Sequence, residues 1–214
     1  MKLTTCCAAI PLLVATAVHA QTSYPMLMSC DPVAAQIGKS SEHEIVSRYS
    51  MFGAYKVLVS GEGVTGEVTT PMQEQNGKRP ELTKLKVRFT VSADALPGVR
   101  SFRIATPQGV STLGQLVIVR DPVVSETGQN NSPGEASSIP VPVALCGAVE
   151  RAEDVDCFRF AVDAGTTLCF HVRAMRLQDG IHDLQQHVDP ILAIRNAAGS
   201  TVATADNKFA AGPF

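Results

Sequence analysis

Thirteen prolines and sixteen glycines cut this 214-residue chain into short runs rich in Val, Ile, Thr and Phe. No long stretch keeps a 3.6-residue apolar period between helix caps, so the sequence argues for β structure throughout. Strands are expected near residues 45–49, 55–60, 64–69, 85–93, 100–106 and 114–119. Reversals fall at Pro97-Gly98 and Pro107-Gln108-Gly109, and six short strands so punctuated suit an antiparallel sandwich. Residues 25–31 read as a further edge strand or an irregular entry.

The opening residues set the compartment. Lys2 is a short positive region, residues 8–18 form an apolar run too short to span a bilayer, and Val18-His19-Ala20 is a small-x-small cleavage pattern. Residues 1–20 therefore read as a signal peptide, and the mature chain is expected to be secreted, periplasmic or held at the cell surface. No later apolar run is long enough to cross a membrane. The formal net charge of -2 becomes slightly more negative once Lys2 is removed, which excludes nucleic acid as a partner. Lys84, Lys86 and Arg88 alternate on what reads as the solvent face of one strand.

The character changes after Arg120-Asp121-Pro122. Residues 125–140 are polar and turn-rich, which puts a domain boundary near residue 122: one β domain over 21–121 and a second over 122–214. Strands in the second are expected near 141–145, 156–162, 167–173, 191–195 and 201–205, with residues 196–200 forming the last hairpin turn. Phe158, Phe160 and Val162 share one face, and a turn at Asp163-Ala164-Gly165 would match them to Leu168, Phe170 and Val172.

Carboxylates stand at the mouth of that hairpin. Ca²⁺ takes six to eight oxygens, mixing carboxylates with amide and backbone carbonyls. Glu126, Asn130 and Asn131 in the linker, with Glu153, Asp154 and Asp156 at the hairpin mouth, are the candidate ligands. Four cysteines survive processing: Cys30, Cys146, Cys157 and Cys169. In the expected hairpin Cys157 and Cys169 lie roughly 13 Å apart along one face, beyond disulfide reach. Cys30 with Cys146 stays geometrically open, beside the reading that all four are free, small hydrophobes.

Other chemistry finds less footing. Gly61-Glu62-Gly63-Val64-Thr65-Gly66 has dinucleotide-binding spacing, but the β-branched residues that follow do not supply the helix whose N-terminus would hold a pyrophosphate. Ser111 lies in Gly109-Val110-Ser111-Thr112-Leu113, where a nucleophile elbow needs glycine at position 113. His182 and His187 are five apart, on different faces of a helix or strand, and read as part of a solvated connection. Trp is absent, so stacking on polysaccharide would fall to Tyr24, Tyr49, Tyr55 or a surface Phe.

The order of Glu126 to Asn131, Asp154 to Phe160, Ala164 to Leu168, Val188 to Leu192 and Asn196 to Ser200 resembles the bacterial pre-peptidase C-terminal domain, over about residues 122–207. That family is a β-sandwich appended to secreted proteases and other extracellular proteins, and some members bind calcium between the same two acidic segments. It is expected to continue past Asn207 with further strands, so the second domain reads as incomplete. Residues 53–61 and 95–111 are similar to an Ig-like module of the IPT/TIG kind, which brings no catalytic residue. The fold class expected is therefore all-β, with two consecutive antiparallel β-sandwiches, Ig-like or jelly-roll-like. The function expected is a secreted, non-catalytic accessory or surface-binding module that meets an extracellular protein or polysaccharide surface. The alternatives are the non-catalytic part of a secreted serine or metallo-peptidase, or a calcium-stiffened adhesin module.

Overall fold

The computed structural model describes residues 24–74, 76–126, 128–149, 151, 153–174 and 190–206. The expected signal peptide and the loop with His182 and His187 lie outside the described residues. Every regular element described is a strand, so the chain is all-β. Nine strands occupy the first part: β1 (Leu27–Asp31), β2 (Ala34–Gln36), β3 (Ser40–Ser47), β4 (Lys56–Val59), β5 (Val64–Val68), β6 (Lys84–Val91), β7 (Gly98–Thr106), β8 (Gly109–Val110) and β9 (Gly114–Val119). One sheet has the order β1-β3-β6-β5; the other has the order β2-β9-β7-β4, with β8 folded back on β7. Their ladders are antiparallel except for β2, which joins β9 in parallel through Ala34 opposite Val117.

Strand β6 shows why these residues make a sandwich. Leu85, Val87, Phe89 and Val91 are buried, while Lys84, Lys86, Arg88 and Thr90 alternate outward, the period of two that a sheet with one wet face requires. On the wet face Lys84 Nζ lies 2.8 Å from Glu44 Oε1, and Lys86 Nζ lies 2.8 Å from Glu42 Oε1. Exposed pairs of this kind add little to stability, but they keep the face solvated. Inside, Phe89 meets Phe102 of β7 edge-on at 5.2 Å between ring centroids, which locks one sheet to the other. Truncating such a ring to alanine typically costs ~3–5 kcal/mol.

The glycine pattern at 61–66 is used for this packing. Gly61 and Gly63 both have φ of 77° in the turn from β4 to β5, where side chains with a Cβ are strained. A Cβ on Gly66 would stand 2.6 Å from Val57 Cγ1 and 3.0 Å from Phe89 Cε1, so glycine lets β5 close on the core. A strand and not a helix follows, which removes the dinucleotide reading on structural grounds.

His43 is the polar exception in this interior. It is fully buried on β3, with Phe89 edge-on at 5.1 Å. Its Nδ1 lies 2.6 Å from Pro32 O and its Nε2 lies 2.7 Å from Ser41 Oγ. A carbonyl only accepts, so Nδ1 carries the proton, and Nε2 accepts from the Ser41 hydroxyl.

The second part holds shorter pieces: β10 (Val123–Ser125), β11 (Ser137–Ser138), β12 (Ala144–Cys146), β13 (Phe158–Arg159), β14 (Leu192–Arg195) and β15 (Thr201–Ala205). β10 pairs β12 and β11 pairs β13, both in parallel, while β14 and β15 form an antiparallel hairpin. The hairpin expected from residue 156 to 172 is present only in part. Gly165 has φ of 85°, Thr166 N donates to Asp163 O at 3.2 Å, and the rings of Phe160 and Phe170 meet at 5.6 Å. The ladder itself is absent among the described residues, and β11 takes the edge of this segment instead: Ser137 N donates to Cys157 O and Ile139 N to Arg159 O. The strand expected from 141 starts later, at Ala144, because Pro140 and Pro142 have no amide to give a ladder.

Burial holds the His43 imidazole below its usual range, against the upward pull of Pro32 O and Asp31. A base depressed in the folded state contributes stability in full above its unfolded value of 6.5, and loses it as pH falls through the folded value. Denaturant melts at about pH 7.5 and about pH 5 are expected to show a larger loss for the natural chain than for His43→Asn, which cannot titrate.

Candidate functional site

Five of the six oxygen-bearing residues expected to act together do meet. Glu126, Asn130, Asn131, Asp154 and Asp156 all line one cavity of about 340 Å³. Glu153 is not among the lining residues; it is exposed, with φ of 59° in the left-handed region. Asp31 at the end of β1, Arg151 and Cys146 also line it. The cavity therefore sits where the end of the first sandwich meets the segments that follow.

Backbone hydrogen bonds set this arrangement. Glu126 N donates to Cys146 O at 2.7 Å, which seats the residue after β10 beside the end of β12. Cys157 N donates to Asn130 O at 2.7 Å, which brings the linker against residues 154–156. The Glu126 carboxylate turns toward Gly147 and accepts from Ala148 N at 3.4 Å. Asp154, with its side chain only 7% exposed, meets Arg151 Nε at 3.6 Å. Asn130 is 1% exposed, and its Nδ2 has no acceptor among the described residues.

This wall offers hard oxygen donors of the kind that suit Ca²⁺ rather than zinc. Among the described residues, however, no three His, Cys, Asp or Glu side chains converge closely enough to hold a metal ion. Calcium here would need amide and backbone oxygens, and the Arg151 guanidinium already neutralises part of Asp154. Sequence reasoning missed Asp31, Arg151 and Cys146. Asp31 lies in a different β module, and only the folded chain brings it near the linker.

Ser111 has a structural task. Fully buried, its Oγ accepts from Ile104 N at 2.8 Å and donates to Thr112 O at 2.8 Å. The first bond closes the chain after β8 onto β7, the second fixes the hydroxyl on the following peptide, and no base stands beside the hydroxyl in this network. In this structure Cys30, Cys146, Cys157 and Cys169 are all in the reduced state.

No protein-family model matches the chain, and no curated protein matches it either. Among solved structures it is similar to domains 5–6 of the S-layer protein SbsC, at 13% identity and a TM-score of 0.31, with 86% of each chain covered. At that TM-score the all-β assignment rests on the strands described above.

Ser111→Ala is expected to leave the buried Ile104 amide without an acceptor and to lower stability by ~1–3 kcal/mol, read as an earlier midpoint in chemical denaturation at unchanged slope.

Proposed function

We propose that this chain is an exported, non-catalytic binding module that meets an extracellular protein or polysaccharide surface, with a calcium-responsive cavity where its two parts join. The observation that supports it most is the meeting of Glu126, Asn130 and Asn131 with Asp154 and Asp156 in one cavity, alongside Asp31 from β1. Calcium there would be held by carboxylates and amides of both acidic segments, and would tie the linker and residues 154–156 to the end of the sandwich. Domain units of 21–121 and 122–214 fit this reading, the second resembling pre-peptidase C-terminal domains of secreted proteins.

The surface has stacking groups for a polymer. Tyr24 is 47% exposed and Tyr55 is 70% exposed. Both flank the β7–β8 hairpin: Tyr55 N donates to Ala105 O of β7, and Tyr24 lies beside Gly109 of β8. Tyrosine rings with one wet edge suit sugar faces, while Phe89 and Phe102 are committed to the core.

Thermal melts of the mature chain from Gln21, in millimolar calcium and in chelator, test the cavity. Ligand at about 100 times its dissociation constant adds ~2.7 kcal/mol, several degrees for a chain of this size. The rise is expected to vanish in Asp156→Ala. It should shrink in Gly147→Ala, whose Cβ would stand 2.6 Å from Glu126 Oε2 and turn that carboxylate away. Coincident melts in calcium and chelator would refute the calcium reading. For the surface, co-sedimentation with insoluble peptidoglycan or cellulose is expected to drop by about tenfold in Tyr55→Ala, the size of one lost stacking contact.

A further inference from the structure

Cys30 and Cys146 lie far apart in sequence, yet both are buried, at 6% and 5% exposure. They approach the same short segment, residues 31–34. Cys30 precedes it on β1, and its Sγ lies 3.5 Å from Pro32 O. Cys146 ends β12 and shares the cavity wall with Asp31, and its thiol faces the backbone amides of Val33 and Ala34. Cys157 is only half-buried and Cys169 is exposed.

Neither buried thiol is set up as a nucleophile or a ligand. Burial pushes the Cys30 thiol up to about 12, with Asp31 and Cys146 adding to the rise, and burial raises Cys146 as well. Thiolate is then scarce at neutral pH in the folded chain. His43 Nδ1 stands 3.9 Å from Cys30 Sγ, but its proton is committed to Pro32 O, so it does not serve as a base for the thiol. What distinguishes the pair is position: one cysteine belongs to the first sandwich and the other to the first strand pair beyond it.

We propose that Cys30 and Cys146 are joined by a disulfide when the chain folds in an oxidising compartment, clipping the end of β12 to the end of β1. The oxidant is a disulfide, either of low molecular weight or in a protein. One cysteine thiolate attacks a sulfur of that disulfide, the S–S bond breaks, and one thiolate leaves. The second cysteine thiolate then attacks the protein sulfur of the mixed disulfide and expels the other thiolate. Two protein thiols are oxidised, one disulfide is reduced to two thiols, and the cysteine protons end on the released thiolates or in solvent. The exchange takes place before the sandwich closes, while both thiols are accessible and titrate in the ordinary range.

The reading of the chain as exported supplies the compartment, but the test does not depend on it. The reduced, unfolded mature chain from Gln21, which holds four of the six cysteines, is refolded in a buffer of glutathione and glutathione disulfide, alkylated in denaturant without reductant, and digested for peptide mapping. The expected product is lighter by two hydrogens than the reduced chain before alkylation. It carries a Cys30–Cys146 linked peptide and alkylated Cys157 and Cys169. Cys30→Ser and Cys146→Ser should each abolish that peptide, and the linked chain should resist dithiothreitol until denaturant is added. Four alkylated cysteines, or a dominant link through Cys157 or Cys169, would overturn the proposal. The mapping needs no calcium, so its outcome is independent of the calcium melts.

Discussion

The contact of Phe89 with Phe102 is the interaction on which the rest of the first module depends. Two sheets stay together only if their inner faces interdigitate across the space between them, and here large rings from the two central strands β6 and β7 meet in the middle. Everything around that contact is shaped to permit it. Gly66 removes a side chain that would collide with Phe89, and Gly114 does the same for Phe102, whose ring fills the space a Cβ would take. His43 also meets Phe89 edge-on, and its two nitrogens are satisfied within the fold. A polar group so placed costs little because both of its hydrogen bonds are made.

The strands around this core were legible where side chains alternate strictly. β6 and β9 follow the period of two almost residue by residue, and the turn at Pro107-Gln108 is written in its residues. β3 starts earlier than its apolar residues suggest, because Ser40-Ser41-Glu42-His43-Glu44 looks polar throughout. Its inward position is a histidine whose partners, Pro32 O and Ser41 Oγ, no local pattern reveals. β2 was missed because Ala34-Ala35-Gln36 is too short to show a period, and its strand character comes from parallel pairing with β9. In the second part the sequence indicated which faces meet, as Phe160 and Phe170 confirm, but not which edge would be paired. Edge choice depends on a distant segment, Ser137–Ser138, that has little strand propensity of its own.

The cavity shows the same division. Residue chemistry singled out the linker and the acidic segment, and backbone bonds from Glu126 to Cys146 and from Cys157 to Asn130 bring them together. The wall that β1 contributes was not legible. Asp31 carries no local sign of a site, and its placement follows from the packing of β10 beside β2. Glu153, the ligand candidate that stays out of the wall, differs from its neighbours by a left-handed backbone that sends the chain round before Asp154.

A consequence of this geometry is that one segment, residues 31–34, carries several loads at once. Pro32 O accepts from the buried His43 and lies beside Cys30 Sγ, Val33 O accepts from Val117 N of β9, and Asp31 forms part of the cavity. A ligand in the cavity and a bond between Cys30 and Cys146 would both restrict the same motion, that of β10 and β12 against the ends of β1 and β2. Interactions that restrain one motion are not additive: the second has less disorder left to remove. With both in place the junction would act as a single mechanical unit, and its stiffness would set how firmly the strands that follow Cys146 are held to the sandwich.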